Sequence, residues 1–150
     1  MSSVFVTVRI GPHHFGAPVE CVTEILSDPQ RTVIPRTPSL VAGVAVVRGQ
    51  PLVMFDLRET LGLEAAPVPF ALRWEVPGDI VLLAVDRIGS LRTMATDPLP
   101  AERWQSVVPD AVAPWVDQAY RLDDEWIWTW PADLPTRLQN LLVHEAAHAS

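Results

Sequence analysis

VAGVAVVRGQPLVMFDLRETLGL, residues 41–63, is the stretch on which the fold turns. An apolar run, Val44–Val47, is followed by Arg48-Gly49-Gln50-Pro51 and then by a second apolar run, Leu52–Phe55. Two β-branched-rich runs around a short Gly/Pro break predict a β-hairpin. The break carries a lone arginine, a cation that does not readily lose its charge. Asp56 stands where a capping carboxylate opens a helical turn over Leu57–Leu61, and Gly62 stands where such a turn closes.

The flanks read the same way. Val4, Val6, Val8 and Ile10 alternate along Ser3–Ile10 and share one face of a strand. Gly11-Pro12-His13-His14 turns the chain, and Phe15–Pro18 begins a second strand. Val19–Leu26 is ambiguous; Val19, Val22, Ile25 and Leu26 fit a helical turn with Glu20 and Glu24 outward. Arg31–Arg36 is a short extended piece ending at Pro35. Ala71–Val76 and Ile80–Ile88 form a hairpin across Pro77-Gly78-Asp79, and Gly89–Met94 continues the sheet. Asp97–Pro114 is an irregular connection with one turn around Ala101–Gln105. Gln118–Leu122 and Trp126–Trp130 flank Asp123-Asp124-Glu125 as a last hairpin. Asp133 caps a helix over about residues 133–147, with Pro135 in its first turn and Leu134, Leu138, Leu141 and Leu142 on one face. About nine short strands with regular turn signals and one C-terminal helix predict a mainly β chain, a small barrel or sandwich.

Composition bounds the function. The 150 residues are the size of one ordinary domain, and 49% hydrophobic content supplies a core. A net charge of −7 disfavours nucleic acid and anionic membrane surfaces as partners. The one cysteine, Cys21, excludes an internal disulfide. No signal peptide and no apolar stretch of spanning length stand out, so a cytoplasmic protein without direct membrane insertion is expected.

The central stretch resembles the signature of the CheW-like family, the coupling proteins of bacterial chemotaxis. That pattern stands here as Gly43-Val44, Arg48-Gly49, Asp56-Leu57-Arg58 and Leu61-Gly62. Phe15–Val19, Ile34-Pro35-Arg36, Val81–Ile88 and Tyr120–Trp130 match further family segments in the right order, so the resemblance covers roughly residues 4–134. It implies two SH3-like five-stranded β-barrel subdomains with a shared core and a C-terminal helix, residues 1–150 forming a single CheW-like domain. It also implies an adaptor without catalysis, metal or cofactor. Such an adaptor joins the cytoplasmic tip of a chemoreceptor (a methyl-accepting protein) to the regulatory domain of a histidine kinase, and so associates with membrane receptor arrays through its partners. Carried over position by position, Val22, Glu24, Gly43 and Arg48 match the partner-binding places. Three departures, Asp117-Gln118-Ala119 without the usual Gly, the aromatic Trp126–Trp130 strand and Val44–Val47 without the common Asn, bear on partner identity. An adaptor of a non-chemotaxis array, serving surface motility or second-messenger output, is the first alternative, and a plain β-barrel interaction module another.

One motif points to an enzyme instead. His144-Glu145-Ala146-Ala147-His148 fits H-E-x-x-H, which on a helix sets two imidazoles on one face for zinc with the Glu as general base. Catalytic zinc needs a third protein ligand and a dry cavity, and no such ligand stands downstream. A polar helix end, with His near the negative pole of the dipole, is the preferred reading. Cys21 reads as a small core residue, and Asp123-Asp124-Glu125 as a turn. Arg48 has two readings, a bridge to a carboxylate such as Asp56 or a partner contact. Trp126, Trp128 and Trp130 share one strand face, favouring burial over a contact surface. At Gly43 a negative φ in a docking groove is preferred over a left-handed backbone that only glycine adopts readily.

Overall fold

Ten strands among the described residues account for most of the molecule. The structure, a computed structural model, describes residues 3–95 and 97–148, with side chains through residue 143. The strands are β1 (Ser3–Ile10), β2 (His13–Pro18), β3 (Val22–Ser27), β4 (Val41–Val47), β5 (Gln50–Phe55), β6 (Phe70–Val76), β7 (Asp79–Val85), β8 (Arg87–Met94), β9 (Gln118–Leu122) and β10 (Glu125–Thr129). Helix α1 spans Ala101–Trp104 and α2 spans Leu134–His148. Two five-stranded sheets result, ordered β8-β1-β2-β10-β9 and β3-β6-β7-β5-β4. Hairpins supply most of the pairing. The β2–β10 and β5–β7 pairs are parallel and join strands distant in sequence.

The central stretch folds as its pattern predicts. Val44 faces Val53 and Val47 faces Gln50 across the β4–β5 hairpin. Asp56 Oδ1 then accepts the Arg58 backbone N–H at 2.9 Å, Leu61 N–H donates to Leu57 O at 2.8 Å, and Gly62 ends the turn at φ +78°. The last hairpin also stands, turning through Asp123 and Asp124 at φ +51° and +62°.

Two readings need correction. Val19–Leu26 is not a helical turn: a 3-10 turn covers only Val19–Cys21, and Val22 onward is strand β3, laddered to β6 from Val22↔Trp74 to Ser27↔Phe70. An available sheet edge outcompetes one helical turn, because isolated turns are costly to nucleate. Strand character also reverses the faces, so Ile25 is exposed and Glu24 is half-buried. The run from Ile80 does not continue through Ile88 as one strand. It breaks at Asp86, where the chain leaves the second sheet and enters the first as β8.

The core has three parts. The largest is shared by both sheets: Val8, Ile10 and Phe15 pack with Leu72, Trp74 and Leu83, sealed by Leu134 and Leu138 of α2. Phe15 stacks on Trp130 with ring centroids 4.5 Å apart, and Trp74 meets Trp130 edge-on at 6.1 Å. Each sheet also curls over a smaller interior of its own, around Met54, Ala71 and Leu82 in one and around Phe5, Tyr120 and Ile127 in the other. The expected pair of SH3-like subdomains with a shared core is therefore present, as is the C-terminal helix. Burial of the tryptophan face holds for Trp128 and Trp130, while Trp126 is half-buried and stacks on Trp128 at 5.2 Å. Leu141 departs from the expected packed face at 37% exposure. Asp133 pairs through its carboxylate with Arg137 Nε at 3.1 Å, one helical turn on.

Candidate functional site: the groove between the sheets

Each sheet presents an edge strand to the other, β3 from one and β8 from the other, and a groove of about 360 Å³ lies between them. Its walls are Val19, Val22 and Ile25 on one side and Ile88, Gly89 and Leu91 on the other. Ile25 at 45% and Leu91 at 64% exposure put large apolar side chains in contact with water there. Exposed apolar surface in a concave setting marks a docking site more often than an accident of composition.

Glu24 lines the same groove and carries its charge at the rim. Its Oε1 lies 3.1 Å from Arg48 Nη2, with the Arg48 side chain 80% exposed. β3 and the β4–β5 turn belong to opposite edges of one five-stranded sheet, so this pair forms because the sheet curls its edges together. Arg48 thus bridges a carboxylate, as its structural reading expected, but the partner is Glu24 rather than the suggested Asp56, which caps the turn after β5. Burial pushes the Asp56 carboxyl above its ordinary value, opposed by the Arg58 amide and charge.

Gly43 sits apart from the groove lining, in a β4 bulge opposite Met54. Its φ is +142°, and a Cβ there would lie 2.5 Å from the Thr32 carbonyl oxygen. The preferred negative φ is thus overturned. Thr32 and Val44 exchange N–H···O bonds of 2.8 and 2.9 Å beside it, and only a residue without a side chain admits that strand so close. Of the predicted site residues, Val22 and Glu24 line the groove, Arg48 joins them through its ion pair with Glu24, and Gly43 lies outside the lining.

Ile25, Ile88 and Leu91 were not singled out from the sequence. Alternation marks Ile25 once β3 is known to be a strand, but the approach of β8 to β3 has no local signal.

A second concavity, about 270 Å³, is lined by Arg9, His13, His14, Glu125, Trp126 and Trp128. Arg9 Nη2 donates to both Glu125 oxygens at 2.8 and 2.9 Å. His14 Nδ1 stands 3.5 Å from Glu125, too far for a hydrogen bond, and is buried without a hydrogen-bond partner. Burial lowers both histidine pKa values, and at His14 the nearby Arg9 charge adds to the effect while Glu125 opposes it. Cys21 is buried, and burial with the Glu20 charge pushes its thiol up, away from thiolate chemistry. Among the described residues no three His, Cys, Asp or Glu side chains converge as a metal ion needs. The H-E-x-x-H side chains of His144, Glu145 and His148 lie outside the described residues, although their backbone is within α2. Among the described residues no helix is long and apolar enough to cross a membrane.

The chain is similar to known proteins in three ways. The CheW-like domain family matches residues 4–132. A segment of 60 residues is 42% identical to Protein PilI of Pseudomonas aeruginosa, covering 40% of this chain and 34% of PilI. The chain thus spans about a third of that curated relative in the match. The crystal structure of the scaffolding protein TtCheW from Thermoanaerobacter tengcongensis superposes with a TM-score of 0.72, at 21% identity, over 87% of this chain and 90% of that one. At that identity the superposition speaks for the fold, and it agrees with the two curled sheets and their connectivity. With the family matched over most of its length and the signature hairpin, curled sheets and inter-sheet groove all in place, this chain belongs to the CheW-like domain family.

Proposed function

We propose that this chain is a non-catalytic cytoplasmic scaffold that couples the tip of a chemoreceptor to the regulatory domain of a chemotaxis-type histidine kinase. The groove between β3 and β8 carries the reading: apolar walls with an ion pair at the rim, in a chain of the CheW-like family. A receptor helix lays its apolar stripe against Val22, Ile25, Ile88 and Leu91, while Glu24 and Arg48 engage polar groups along its flank. Gly43 contributes indirectly, by letting the Thr32 segment pack on β4 and set the position of the turn that carries Arg48. The kinase domain meets the barrel ends. Residues 1–150 act as one domain, reach the membrane only through their partners, and need no metal or cofactor for this role.

The test is a calorimetric titration of the purified protein with a soluble receptor-tip fragment and, separately, with the kinase regulatory domain. Binding of both, with receptor binding lost in Leu91→Asp and kinase binding kept, is the expected result. Binding of neither overturns the proposal. The PilI match supports a second reading, an adaptor of an array whose output is surface motility or a second messenger. Deleting the gene and scoring swimming against surface movement separates the two.

A further inference from the structure

The chain passes between the sheets twice among the described residues, and each wall of the groove is the first strand after a crossing: β3 after the first, β8 after the second. The first crossing takes Val19–Cys21 as a 3-10 turn. The second is a single residue, Asp86, between Val85 of β7 and Arg87 of β8. One residue has no slack, so its orientation sets the direction in which β8 departs.

Asp86 is held from three sides. Its backbone N–H donates to Arg9 O at 2.9 Å. Its Oδ2 accepts the Gly11 N–H at 2.6 Å and also the Arg58 Nη1. Arg58 is itself anchored, its backbone N–H to Asp56 Oδ1 at 2.9 Å and its Nε to Glu64 O at 2.7 Å. The β1–β2 turn of one sheet, the turn after β5 of the other and the crossing between them therefore meet at one carboxylate. Both charged side chains are largely buried, which limits screening of the pair. Ile88 of the groove wall lies two residues beyond.

We infer that Arg58 and Asp86 are positioning residues for the groove: their ion pair, with the Gly11 amide, holds the β8 wall at its spacing from β3. The inference rests on the proposed use of that groove for docking. Spin labels at Ile25→Cys and Leu91→Cys, in a Cys21→Ser background, report the distance across the groove by pulsed dipolar spectroscopy. Unlabelled proteins without those cysteines are titrated with the receptor-tip fragment. Arg58→Gln and Asp86→Asn are expected to broaden or shift the distance distribution well below their melting temperatures. They are also expected to weaken receptor-tip binding by about tenfold or more. Arg58→Lys, which keeps the charge facing Asp86, is expected to recover both in part. An unchanged distribution in folded variants overturns the inference, as does failure of both variants to fold, which would make the pair a stability element only. Should the unaltered protein not bind the receptor tip, the docking proposal fails, and the distance measurement still decides the role of the pair.

Discussion

Arg48 and Gly43 sit five residues apart in one signature and do different physical work. Arg48 occupies a left-handed turn position at φ +52°, and its exposed side chain pairs directly with Glu24 at 3.1 Å. An exposed ion pair contributes little to stability. Arg48→Glu is therefore expected to melt close to the unaltered protein while failing to capture the receptor tip in a pull-down; a large drop in melting temperature would return Arg48 to a structural role. Gly43 is the converse case. A methyl group there meets the Thr32 carbonyl, and φ +142° strains any residue with a Cβ. Gly43→Ala is expected to destabilise by about 1–3 kcal/mol in urea unfolding. Its receptor affinity, measured where it is folded, should fall less than that of Arg48→Glu.

Among the elements, α2 shows burial decided residue by residue. Leu134 and Leu138 are sealed into the shared core, whereas Leu141 and Val143 face water. Leu138→Ala should cost about 2–5 kcal/mol, read from the midpoint of chemical denaturation, with Leu141→Ala well below that range. Truncation after Val143 should leave fold and partner binding intact. Strands β2 and β10 meet beside the two histidines. Burial lowers the His13 and His14 pKa values in the folded chain below the ordinary 6.5. Between the lowered values and 6.5 the unfolded chain therefore binds more protons, so stability is fully present above that window and is lost as pH falls through it. Replacing both histidines by glutamine should flatten the melting-temperature profile between about pH 7 and about pH 5. An unaltered acid slope in that variant would locate the effect elsewhere.

For the molecule as a whole, the shared core makes the two sheets interdependent. β6 and β7 bury Leu72, Trp74 and Leu83 against Ile10 and Phe15 of the other sheet. A fragment of residues 22–85, which keeps every strand of the second sheet, leaves that face in water and is expected to show no cooperative thermal transition by circular dichroism. The intact chain should unfold in one transition.

The signature hairpin, the capped turn at Asp56, the last hairpin and α2 were all legible in the sequence, because their determinants lie within a few residues of one another: alternation, a Gly/Pro break, a capping carboxylate, a leucine stripe. Val22, Glu24 and Arg48 were read from the resemblance as partner-binding places, and nothing in the sequence announced the Glu24–Arg48 pair. Strand β3 was missed because its ladder to β6 is made with residues far along the chain, and no periodicity in Val19–Leu26 announces a distant sheet edge. The break at Asp86 was missed for the same reason, its apolar flanks reading as one strand until the two sheets separate them. Only the tertiary structure set φ at Gly43, since the Thr32 segment that demands it returns from eleven residues upstream. Local chemistry thus determined which elements form and where they turn. The curl that joins Glu24 to Arg48, the parallel β2–β10 and β5–β7 pairs, and the groove between β3 and β8 were decided by packing two sheets on one core, a long-range condition that no short window of sequence contains.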